Sequence, residues 1–180
     1  LGENALNSTT GAALKNIGIG TDSLTALTTG VQNVAIGYQA ADGLTTGAYN
    51  TVLGYDALGN ATTQADHHVA IGRGAMSGAI VAEDLNFCVA VGDLAMSGAL
   101  DAAASGTVAV GKSALAALTT GVANTAIGFE AGNDITTCGY NTILGYQALD
   151  LATTQTDSCV AIGYQAMHGS IVTENVNGCI

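Results

Sequence analysis

Proline and tryptophan are absent from this chain of 180 residues, and only 4% of its residues are aromatic. Without proline no backbone N–H is missing, so strands can stack along the whole chain without a forced break. With so few aromatics, a core must be built from small aliphatic side chains. Charge is scarce too: 9% of residues are charged, against about 25% in an ordinary globular domain. Basic residues are scarcest of all. Lys15, Arg73 and Lys112 face 14 acidic groups, for a net charge of −11. Nucleic-acid binding needs several phosphate contacts, so it is excluded as a function class. An anionic membrane surface is disfavoured for the same reason. No apolar run reaches 18 residues, so no helix of membrane-spanning length is expected. The opening "LGENAL" does not read as a signal peptide but as the middle of a repeated phrase.

What the chain has in quantity is glycine, 25 residues, and a phrase that keeps returning. "NVAIGYQA" at 33–40 is followed by "NTVLGYDA" at 50–57, "HVAIGRGA" at 68–75 and "NTAIGFEA" at 124–131. The glycine of each phrase is an anchor: Gly2, Gly20, Gly37, Gly54, Gly72, Gly92, Gly111, Gly128, Gly145 and Gly163, spaced 17–20 residues apart. An aliphatic residue always precedes it: Leu1, Ile19, Ile36, Leu53, Ile71, Val91, Val110, Ile127, Leu144 and Ile162. Three residues after the anchor stands Ala, with Ser23 the exception. A longer period lies on top. Shifting residues 20–89 by 91 onto 111–180 leaves 40 of 70 pairs identical. The chain therefore reads as one continuous domain over 1–180: a partial unit at 1–19, a five-rung unit at 20–110 and an incomplete second unit at 111–180. Both ends fall inside a repeat, so a longer parent chain is expected.

Each repeat holds a short β-favouring run, a glycine, a polar–Ala–Leu stretch and a polar turn, most often "TTG". No apolar stripe of helical period persists, and two short strands per repeat are expected. A unit this short cannot bury a face alone, whereas stacked units can. The fold class is all-β: a parallel β-solenoid of about ten rungs. The invariably aliphatic residue before each anchor is expected to form the core ladder, with the strand's Ala on the opposite face. The anchor glycines are expected to turn the chain at positive φ.

The phrases "NVAIGYQA", "NTAIGFEA" and "CVAIGYQA" resemble the head repeat of YadA-like trimeric autotransporter adhesins, and "NTxIGYQA…TTG" repeats of phage tail fibres. The resemblance covers the whole chain, although the adhesin repeat is shorter. It implies a left-handed β-roll, three chains bundled as a fibre, a cell-surface, virion or other extracellular location, and attachment to a glycan or protein receptor. A non-adhesive filament or sheath subunit and an ice-binding solenoid are the alternatives.

Candidate sites are few. Thr pairs at 28–29, 45–46, 62–63, 119–120, 136–137 and 153–154 suit either turn chemistry or a flat hydroxyl array. "SGAIV" and "SGALD" interrupt that array. Asp22, Gln39, Asp56, Glu130 and Gln147 share a phase and read as a solvated ridge rather than a cation site. His67 and His68 with Cys88 do not make a metal centre. No catalytic arrangement emerges, so neither an enzyme nor a cofactor is expected. Tyr38, Tyr55, Phe129, Tyr146 and Tyr164 directly follow anchors and form an aromatic strip, suited to an interface between chains or to sugar contact. Cys159 and Cys179 share a phase on adjacent rungs about 4.8 Å apart, within the Cα window a disulfide accepts. Cys88 and Cys138 have no such partner.

Overall fold

The computed structural model describes residues 2–7, 15–61, 65–80, 85–151 and 156–169. Nine strands of three residues each lie in one parallel sheet in strict sequence order: β1 (Ile17–Ile19), β2 (Val34–Ile36), β3 (Thr51–Leu53), β4 (Val69–Ile71), β5 (Val89–Val91), β6 (Val108–Val110), β7 (Thr125–Ile127), β8 (Thr142–Leu144) and β9 (Val160–Ile162). Sequence neighbours pair with no crossover, so each coil of 17–20 residues returns to sit directly on the last. The register is constant: Ile19, Ile36, Leu53 and Ile71 oppose one another, and so do their counterparts up to Ile162. The fold is a parallel β-solenoid with eight turns between its nine strands. A single turn of 3-10 helix, Ala102–Ala104, is the one helical element among the described residues.

The core is where the sequence reading must be corrected. The aliphatic ladder stacks in register as expected, but it points outward. Ile19 and Leu53 are each 46% exposed and Ile162 is 61% exposed. Ile127 and Leu144 are exposed too, while Ile36, Ile71, Val91 and Val110 are half-buried. The middle residue of each strand is the buried one: Ala35, Val52, Ala70, Ala90, Ala109, Ala126, Ile143 and Ala161. It meets the second Ala column, from Ala40 and Ala57 to Ala148, and both columns are buried. The two walls approach closely where Ala faces Ala, and they leave room for Val52 and Ile143 in β3 and β8. Larger side chains fill the wider parts of the coil, among them Leu24, Leu27, Leu44, Leu58, Met76 and Leu115.

The second wall is not the regular strand expected of it. Residues two and four past each anchor lie in the left-handed region, for example Gln39 (φ 53°), Ala41 (φ 52°), Asp56 (φ 53°) and Leu58 (φ 53°). Their N–H groups point alternately down and up the stack. Gln39 donates to Thr21 below at 3.0 Å, and Ala41 to Ala57 above at 2.9 Å. Each hydrogen bond returns about 1 kcal/mol, enough to offset much of the cost of a left-handed non-glycine residue.

The anchor is the tightest point of the coil. Gly20, Gly37, Gly54, Gly72, Gly92, Gly111, Gly128, Gly145 and Gly163 all have φ between 126° and 145°. A Cβ on Gly54 would run into the carbonyl of Gly72 on the next rung. Glycine is therefore required twice at this position, for its dihedral and for the space.

A polar ladder runs beside the strands, four residues before each anchor. Asn33 Nδ2 donates to Gly47 O at 2.8 Å, while its Oδ1 accepts from the N–H of Asn50 at 3.0 Å. Asn50, Asn124 and Asn141 repeat the accepting bond to the rung above. His68 takes one place in this column and reproduces the pattern. Its Nδ1 accepts from the N–H of Cys88 at 3.2 Å, so the proton sits on Nε2, which donates to Leu85 O at 3.1 Å. Cys88 and Thr107 donate to Ala104 O and Gly121 O in the same way. Burial drives the His68 pKa from 6.5 down to about 4.

Gly54→Ala should destabilise the chain by about 3 kcal/mol in urea unfolding. Gly106→Ala should cost about 1–2 kcal/mol, the left-handed backbone penalty alone, because a Cβ at Gly106 (φ 72°) meets nothing. Equal losses at the two sites would contradict the close-packed anchor column. Acid provides a second check. Folding disfavours the His68 cation, so its contribution is intact above pH 6.5 and lost as pH falls from 6.5 to 4. The loss is about 3 kcal/mol. Raised Asp42, Asp56 and Asp150 push the other way. The comparison is therefore with His68→Asn, whose melting temperature should fall less over that window. Parallel curves would show that His68 is not held neutral.

Candidate interaction face

The sheet turns its aliphatic side to solvent. Two parallel columns run the length of the stack: Ile17, Val34, Thr51 and their counterparts three residues before each anchor, and the Ile19-to-Ile162 ladder one residue before it. The face spans about 10 Å along the three-residue strands and nine rungs of about 4.8 Å, on the order of 400 Å², or about 800 Å² with the rows that border it. Apolar patches on monomeric proteins are about 300–600 Å².

Aromatic rows border it on both sides. After the anchor come Tyr38 and Tyr55, with ring centroids 5.3 Å apart, then Phe129, Tyr146 and Tyr164 at 5.1 and 5.4 Å, all stacked within 13°. Between the two groups the row is charged: Arg73 pairs with Asp93 at 2.8 Å, and Lys112 Nζ lies 5.6 Å from the Phe129 centroid. Before the strand lies a second row that the sequence reading missed. Tyr49, His67 and Phe87 stack at 4.7 and 4.9 Å. Its signal was a shared phase five residues before each anchor. All of these rings stack on each other along the fibre axis, so their faces are largely taken and their edges point outward. Such a row suits edge-on packing better than the flat stacking of a sugar.

The remaining candidates resolve into structural roles. Thr28 and Thr119 hydroxyls donate to Thr45 O and Thr136 O on the next rung, at 3.0 and 2.8 Å. Thr62, Thr63, Thr153 and Thr154 lie outside the described residues. In the polar ridge, amides cap the carboxylate and each other: Gln147 Nε2 donates to Glu130 Oε2 at 2.7 Å, and Gln165 Nε2 to Gln147 Oε1 at 3.0 Å. Asp22 likewise accepts from Asn4. Among the described residues no group of three His, Cys, Asp or Glu is placed to hold a metal. No helix among them is long and apolar enough to cross a membrane.

Cys88, Cys138 and Cys159 are all buried, and the first two are free thiols. Cys179, the expected partner of Cys159, lies outside the described residues. Burial pushes the Cys88 thiol pKa up. Cys88 and Cys138 should therefore resist Ellman's reagent at pH 8 and react only after guanidinium is added. Fast native labelling of Cys88 would contradict its place in the polar ladder. No family model, curated protein or solved structure matches the chain.

Proposed function

We propose that this chain is a segment of a self-assembling extracellular or virion fibre, in which copies pack their exposed aliphatic sheet faces together, most simply as a parallel homotrimer. One observation carries the reading: an exposed, uncharged strand face of about 400 Å² per chain, which together with the aromatic rows that border it reaches about 800 Å², the size of one side of a standard protein interface. Left in water, such a face would favour non-specific association. The resemblance to adhesin head and tail-fibre repeats supports the same arrangement and adds surface attachment as the fibre's purpose. A spacer or filament role without a receptor on this segment is the second reading. The mutual stacking of the aromatic rings favours it, because few ring faces remain for a glycan.

Sedimentation equilibrium tests the assembly. The wild-type chain should run as a trimer at micromolar concentration and resist SDS without heating. Leu53→Glu with Leu144→Glu changes only exposed positions. It should preserve the β-sheet circular dichroism and weaken association at least a hundredfold. A wild-type monomer, or a trimer indifferent to both charges, would reject the reading.

A further inference from the structure

All six tyrosines of the chain stand exposed on the borders of the sheet face, and the stack divides them into two classes. Four are paired. Tyr38 lies under Tyr55 with ring centroids 5.3 Å apart and planes within 13° of parallel, and Tyr146 under Tyr164 at 5.4 Å and 11°. The other two have no phenol on either adjoining rung: Gln32 and His67 flank Tyr49 in its column, and Ala123 and Ser158 flank Tyr140. Exposure does not separate the classes. The paired rings are 43–74% exposed, and Tyr49 and Tyr140 are 49% and 63% exposed. The backbone fixes each pair. Gly54 and Asp56, on either side of Tyr55, donate to Ile36 O and Tyr38 O, both at 2.9 Å. Gly163 and Gln165 donate in the same way to Leu144 O and Tyr146 O, both at 2.8 Å.

We propose that Tyr38 with Tyr55, and Tyr146 with Tyr164, are dityrosine modification sites, at which oxidation staples one coil covalently to the next. The oxidant is hydrogen peroxide acting through a haem peroxidase. Each phenol gives up one electron and its hydroxyl proton and becomes a phenoxyl radical. The two radicals join through ring carbons ortho to oxygen, and the proton on each of those carbons moves to its phenoxyl oxygen as aromaticity returns. One C–C bond forms, two C–H bonds break, and the two electrons and two protons reduce one peroxide to two waters. A short-lived radical couples with a partner already at hand, and the hydrogen-bonded stack holds that partner at high effective concentration. The ring edges face solvent, so electrons leave without the peroxidase entering the coil, and the side chains have room to tilt until their ortho carbons meet. Tyr49 and Tyr140 are as open to oxidation but lack the partner. Each staple would close a loop of one coil and restrict the unfolded chain as a disulfide does. The pairing belongs to a single chain and does not depend on association through the sheet face.

Adding hydrogen peroxide and a haem peroxidase to the full chain tests the proposal. The product should show dityrosine fluorescence, run as a single chain after boiling in SDS, and weigh less by two hydrogens for each link. Cleavage at aspartate separates the partners, at Asp42 for the first pair and at Asp150 and Asp157 for the second. In the digest, links within the two pairs should outnumber links through Tyr49 or Tyr140 at least tenfold. Tyr55→Phe with Tyr164→Phe keeps the stacked rings and removes one phenol from each pair, so the fluorescence should fall at least tenfold. Absence of dityrosine, equal use of Tyr49 or Tyr140, or products mainly of dimer or trimer mass would overturn the proposal. A second variant builds a new pair. Ser158→Tyr sets a phenol beside Tyr140, in a column where Tyr49, Tyr140 and Ser158 have φ of 61°, 60° and 59°. Oxidation should then link Tyr140 to position 158. Failure of that link, in a chain that keeps its β-sheet circular dichroism, would contradict the proposal.

Discussion

The hydrogen bond between one coil and the next is the interaction on which the structure depends. Each strand, most turn residues and the buried asparagines direct their N–H groups at a carbonyl one rung away. A chain whose every unit binds the next at one spacing must place like residues over like. Columns follow from that requirement, and every column then either packs or repels over its full length. Glycine on glycine allows the backbones to approach, Ala on Ala fills a narrow interior, and Asn on Asn forms a relay. The low charge content follows from the same rule, because a charged column would repel itself at about 4.8 Å spacing. The polar ridge avoids that repulsion by setting an amide, not a second carboxylate, next to Glu130 and Asp22.

The interior is narrow, and its narrowness determines which way the strands face. Where Ala lines the opposite wall there is little room, so the methyl-sized residue of "VAI" turns inward and the two large residues turn out; β8 instead turns Ile143 inward, against Gly132. The coil buries leucines and methionines in its wider parts and leaves the outer aliphatic residues of the strands exposed or half-buried. The apolar surface that an ordinary domain would enclose is left as an external face, and the proposed assembly is the step that would enclose it.

Much of this was legible in the sequence. The anchor glycines, the coil length and the constant phase of the aliphatic residues all follow from spacing alone. The inside and outside of the strand did not. In "VAI" and "VAV" all three residues are apolar, so alternation gives two faces without saying which one is wet. A rule that places the larger aliphatics in the core holds for a domain with a wide interior and fails here. The second strand expected around "GYDAL" was misread because its residues alternate between right- and left-handed turns, a conformation that Asp56 and Leu58 do not announce. The asparagine ladder was visible in every "NVAIG" and "NTVLG", but it carries meaning only once the coils are stacked. His68 then reads as a substitute for asparagine.

The central claim is that each strand hides its middle residue and offers its two outer ones to another chain. A cryo-electron microscopy map of the assembled fibre at side-chain resolution tests it most directly. The account predicts Ala35, Val52 and Ala70 inside their own coil, with Ile36, Leu53 and Ile71 between neighbouring chains. A map showing Leu53 inside its own coil, or a single chain with the Ile36-to-Ile71 column in solvent, would contradict it.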